Sequence, residues 1–107
     1  YMCSYYDPIP RDKWTEHVSG MEEQYLPEDR RAMAGLIQGL SRPVIHYKIL
    51  AAGRNEPEEA FAYAARSMRD TDAVCVGVYT QENPRMLEQD VELLARSIRV
   101  AAEVPRY

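Results

Sequence analysis

Pro43-Val44-Ile45-His46-Tyr47-Lys48-Ile49-Leu50-Ala51-Ala52-Gly53-Arg54 decides how this chain is read. Its apolar run has the character of a parallel strand covered on both faces, leading into a glycine-containing loop. Strand side chains alternate, so Val44, His46, Lys48 and Leu50 share one face, and Ile45, Tyr47, Ile49 and Ala51 the other. A lysine in a covered strand loses water and needs a partner or a purpose. Lys48 beside His46, just before Gly53-Arg54, therefore predicts a cationic pocket at the carboxyl end of this strand.

The flanking sequence alternates in type. Tyr1 to Tyr6 is aromatic-rich and reads as a strand that Asp7-Pro8-Ile9-Pro10 stops, since proline removes ladder donors. Residues 7–27 read as a loop, with a short helix suggested by Trp14, Val18, Met21 and Tyr25; His17 lies here and reads as a solvated histidine. A helix is expected over 28–40, because Pro27 and Glu28-Asp29 suit a first turn and Met33, Leu36, Ile37 and Leu40 form a stripe. The strand over 43–50 follows. Asn55-Glu56-Pro57-Glu58 opens a helix over 56–69, with Ala60, Phe61, Ala64, Ala65 and Met68 as a narrow face suited to close packing on a sheet.

A strand is expected over 73–79, its valines Val74, Val76 and Val78 toward helices and Ala73, Cys75, Gly77 and Tyr79 opposite. Asn83-Pro84 then starts a last helix over 84–104, striped by Leu87, Val91, Leu94, Ala95, Ile98 and Ala102 and ended by Pro105. The order is β-α-β-α-β-α, which means an α/β fold with a parallel three-stranded sheet and right-handed crossovers.

Composition narrows the function classes. The chain has 107 residues, enough for one domain. Its net charge of −4 argues against a nucleic-acid binder, which carries a basic face. No apolar run reaches membrane-spanning length and nothing resembles a signal peptide, so the expected location is cytoplasmic and no membrane partner is expected. Cys3 and Cys75 read as two buried thiols rather than a disulfide framework. The chain begins inside a strand-like run without Met, which reads as a piece of something longer or a trimmed one.

Crossovers of one hand keep the helices on one side of the sheet, so the face expected to carry His46, Lys48, Cys75 and Gly77 needs further strands to close over it. A barrel supplies them. Tyr47 to Arg54, Pro57-Glu58-Glu59-Ala60-Phe61 and Asp72 to Tyr79 resemble the closing strands of TIM-barrel proteins, poorly characterised bacterial ones among them. The resemblance covers most of the chain from Pro27 onward. It implies the closing part of a (β/α)8 barrel, about strands 6 to 8, with chemistry at the carboxyl ends of the strands. In many such barrels the loops after strands seven and eight hold a phosphate. By resemblance, Gly53 and Arg54 follow strand seven, and Tyr79 and Thr80 follow strand eight. The second loop departs from that pattern, since it lacks a glycine-rich turn; the resemblance leaves an anion site at Arg54.

Lys48 could form a Schiff base, act as a base once stripped of water, or hold an anion; the plain alternative is an internal ion pair. His46 could orient Lys48, or be a hydrogen-bonded core histidine. Arg54 is an anion clamp or a surface arginine docking a helix. Tyr6 could meet a substrate or simply pack. Cys75 reads as an inert core residue, and Glu22-Glu23 and Glu56 to Glu59 as solvated faces or helix starts. No metal-ligand spacing, P-loop or dinucleotide fingerprint is present, so no metal or cofactor is expected. The expected function is a TIM-barrel enzyme acting on a small anionic metabolite by lyase, aldolase-like or isomerase chemistry. The alternative is a non-catalytic partial barrel that assembles with itself or with a complementary fragment. A small doubly wound ligand-binding domain is a third reading.

Overall fold

The computed structural model of the chain describes residues 1–7 and 25–103. The expected helix around Trp14, His17, Glu22-Glu23 and Pro105 lie outside the described residues. Within them the order is β1 (Met2–Ser4), α1 (Pro27–Gln38), β2 (Ile45–Tyr47), α2 (Pro57–Ser67), β3 (Ala73–Cys75) and α3 (Met86–Glu103). The three strands form one parallel sheet in the order β1-β2-β3. It is a small α/β domain with a three-stranded parallel sheet and three helices.

α1 and α2 begin where the sequence marks a start, while α3 begins at Met86, two residues after Pro84. Pro27 and Pro57 occupy first turns, followed by the acidic pairs Glu28-Asp29 and Glu58-Glu59. Asn83 precedes α3, its side-chain oxygen accepting from the Arg85 N–H at 3.2 Å. The strands are shorter than expected. β2 ends at Tyr47 rather than at Leu50, because Lys48 turns into the left-handed region at φ 58°. Ladder pairing in β3 stops at Cys75 rather than at Tyr79.

Register decides which side chain enters the core. Cys3 lies opposite His46, and His46 opposite Val74, so these three share a face. Cys3 and His46 are buried there with Tyr5, Val44 and Ile49, against Ile37 of α1 and Phe61 and Ala64 of α2. His46 therefore faces the helices, not the opposite side on which the sequence places it with Cys75. The opposite face carries Met2, Ile45, Tyr47, Ala73 and Cys75, and the described residues leave it open; Met2 is 63% and Ile45 39% exposed. Cys75 is an exposed thiol rather than a core residue, while Cys3 is buried.

The helices depart from their stripes in two places. Leu36 of α1 is exposed, although Ile37 is fully buried. On α3, Leu87, Val91 and Ile98 are exposed while Leu94 of the stripe packs against the core, and the docked flank is Asp90, Leu93, Leu94, Ser97 and Ala101. α3 packs chiefly on the alanine-rich α2. Arg30 joins α1 to α2 by two 2.8 Å bonds to Glu59 and lies 3.8 Å over the Tyr63 ring. The Arg30 hydrogen bonds hold the Glu59 carboxyl below its ordinary range. Glu59 is half exposed, so the pair contributes under about 1 kcal/mol.

Candidate functional site

The loop between β2 and α2 is built from left-handed backbone. Lys48, Ala51, Ala52 and Gly53 have φ of 58°, 51°, 55° and 85°. Turn hydrogen bonds fix this path: Ala51 N–H to the Lys48 carbonyl, and Gly53 and Asn55 N–H to the Leu50 carbonyl, all within 3.0–3.1 Å. Asn55 ties it down, its amide donating to the Ile49 carbonyl at 3.2 Å and to the Tyr6 hydroxyl at 2.8 Å. Asn55 thus bridges the ends of β1 and β2 instead of capping α2, whose N-cap residue, Glu56, makes no side-chain cap bond.

Only Gly53 among these adopts its conformation freely. Each left-handed alanine costs about 1–2 kcal/mol, and strain of this kind persists where surrounding structure imposes it. Ala52 is exposed, so Ala52→Gly removes strain without opening a cavity. After the entropy lost by glycine, a net stabilisation of up to about 1 kcal/mol is expected in urea unfolding. A loss of stability would show that the turn is not left-handed in solution.

A cleft of about 780 Å³ opens at the carboxyl ends of β2 and β3. Lys48, Leu50 and Gly53 contribute from the β2–α2 loop, Gly77 and Tyr79 from the segment after β3, and Asp90 from α3. The volume falls in the range of small-molecule sites, and much of the wall is apolar. Nothing matches this chain among protein-family models, curated proteins or solved structures.

Of the residues singled out in the sequence, the cleft brings together Lys48, Gly53 and Tyr79. Lys48 is exposed and beyond the strand end, not inside the sheet, so it needs no buried counter-charge. His46 is elsewhere. It is fully buried, with Nδ1 2.8 Å from the Tyr5 hydroxyl and Nε2 3.0 Å from the Asp72 carboxylate. With Nε2–H donating to the carboxylate, Nδ1 accepts the Tyr5 proton, and both nitrogens are satisfied inside the core. The expected Lys48–His46 pair is thus replaced by a cleft lysine and a core histidine.

Tyr6 is buried, with its hydroxyl taken by Asn55. Arg54 is exposed and lies 4.6 Å over the Tyr25 ring, beside the cleft-lining Gly53. Thr80 is exposed and does not line the cleft. Tyr79 donates its hydroxyl to Gln81, and its N–H approaches the Met86 sulfur at 3.3 Å.

Asp90, outside the apolar stripe that the sequence marks on α3, also lines the cleft. It is 6% exposed, and Oδ2 has no hydrogen-bond partner among the described residues. Loss of water pushes its carboxyl above the ordinary value. The signal was present: Asp90 is the one acid in the spacing Met86, Asp90, Leu93, Ser97, Ala101, the flank that docks. Among the described residues, no group of three or more His, Cys, Asp or Glu is placed to hold a metal ion. No helix among them is long and apolar enough to cross a membrane.

Proposed function

We propose that the cleft is the substrate site of a TIM-barrel-type enzyme acting on a small anionic metabolite, the chain forming its closing strands. Lys48 is the residue on which lyase, aldolase-like or isomerase chemistry centres. The observation that carries the reading is the cleft's position, at the carboxyl ends of parallel strands, where α/β folds place their ligands. A flexible ammonium on its wall, among apolar side chains, suits an anion or a carbonyl. Arg54 stands next to Gly53 and adds positive charge near the site without lining it.

Attack of the Lys48 amine on a ketone carbonyl would expel water and leave an imine, which withdraws electrons from the neighbouring carbon. Treatment with pyruvate and borohydride, followed by peptide mass spectrometry, is expected to show a reduced adduct at Lys48 and none in Lys48→Gln. A clean spectrum removes the imine version and leaves Lys48 as an electrostatic group.

A second reading is favoured by the open sheet face with Met2 and Ile45, and by the exposed Leu87, Val91 and Ile98 of α3. On that reading the chain is non-catalytic and assembles with itself or with a complementary fragment. Light scattering after size-exclusion chromatography tests the self-assembly version, which a stable monomer contradicts.

A further inference from the structure

We infer that Asp90 is the second ligand-binding group of the cleft, and that the ligand is a zwitterion whose protonated amine meets Asp90 while its acid meets Lys48. The inference rests on the proposed anion-binding role of Lys48 and adds a cationic end to the ligand.

Four observations converge. Asp90 lines the same cleft as Lys48, but from α3 rather than from the β2–α2 loop. Its side chain is more than nine-tenths buried, and Oδ2 accepts no hydrogen bond among the described residues. The cleft wall is largely apolar and includes Ile49, Leu50, Val76 and Leu93. A buried carboxylate without a donor is costly, and buried polar groups are almost always satisfied. No described Lys or Arg forms an ion pair with Asp90, so the described residues supply it no counter-charge.

The missing donor has a definite chemistry. A protonated amine gives a charge-assisted hydrogen bond, roughly twice as strong as one from a neutral hydroxyl. A divalent metal is a poorer occupant, because Asp90 belongs to no described cluster of three acidic, His or Cys ligands. A dianion of similar length would satisfy Lys48 but would be repelled by Asp90.

Calorimetric titration of the full chain with γ-aminobutyrate, δ-aminovalerate and ε-aminocaproate, against succinate, glutarate and adipate, tests this. At least one amino acid is expected to bind about tenfold or more tightly than the diacid of similar length. Asp90→Asn should erase that preference, and Lys48→Gln should weaken both classes. Circular dichroism of each variant checks that it is folded. If the diacids bind as well as the amino acids, the zwitterion inference falls and the anion site stands. If neither class binds, both fall. If Asp90→Asn keeps the full preference, Asp90 is not the amine's partner.

Discussion

Asp72→Ala is expected to cost the fold about 3–5 kcal/mol, the penalty of breaking a buried ion pair from one side. Its carboxylate is fully buried at the entrance to β3. Oδ1 accepts from the Val44 N–H at 3.0 Å and from Arg69 at 3.1 Å. Oδ2 accepts from the Arg69 N–H at 3.0 Å, from Arg69 Nε at 3.2 Å and from His46 at 3.0 Å. Arg69 also donates to the carbonyls of Leu40 and Arg42, and His46 leads on to Tyr5. Through His46 and Arg69 this side chain therefore links β2 with Tyr5 just after β1, with the approach to β2 and with the turn before β3. A domain of this size has about 5–15 kcal/mol of stability, so the variant should lie close to unfolding.

The same network sets an acid limit. Burial works against the Asp72 charge, but the bonds from Arg69, His46 and Val44 outweigh it and hold the carboxyl well below its ordinary range. The unfolded chain takes up this proton near pH 4, the folded one only at much lower pH. Asp72 therefore stabilises the fold above about pH 4, and that contribution drains away as the pH falls further. Urea midpoints at pH 7 and at pH 3 should differ more in the wild type than in Asp72→Ala. Equal midpoints for the two proteins at pH 7 would remove Asp72 from this role.

Asp90→Leu should act in the opposite direction, raising stability at pH 7 by about 1–3 kcal/mol. The folded carboxyl is shifted up by loss of water, so its ionisation opposes folding. That opposition is absent below about pH 4, where the carboxyl is neutral in both states, and appears as the pH rises through the folded value. The gain from Asp90→Leu should therefore be largest at neutral pH and smaller in acid. A group that weakens the fold while lining a cleft is the usual trade between stability and function. Thermal unfolding of both proteins across pH measures it, and a destabilised Asp90→Leu would mean that the carboxylate has a partner after all.

The alternation of strands and helices was legible because its punctuation is local: Pro27, Pro57 and Asn83-Pro84 mark helix starts whatever surrounds them. The placement of Lys48 was not, because its left-handed turn is set by loop hydrogen bonds, which no side-chain pattern announces. His46 was half legible. Alternation grouped it with Lys48, but parallel register pairs it with Val74, whose face was already read as meeting helices. The α3 stripe misled in part. Leu87, Val91 and Ile98 are exposed, while Asp90, Leu93, Leu94, Ser97 and Ala101 are the covered side of the helix. Asp90 was hidden by the same choice of flank.

The amide spectrum of the ¹⁵N-labelled chain, titrated with pyruvate, tests the central claim that the cleft beside Lys48 takes a small anion. Shifts are expected to concentrate at Lys48, Gly53, Gly77 and Tyr79, and to disappear in Lys48→Gln. No shifts, or shifts centred on the Asp72 network or on the outer flank of α3, would contradict it.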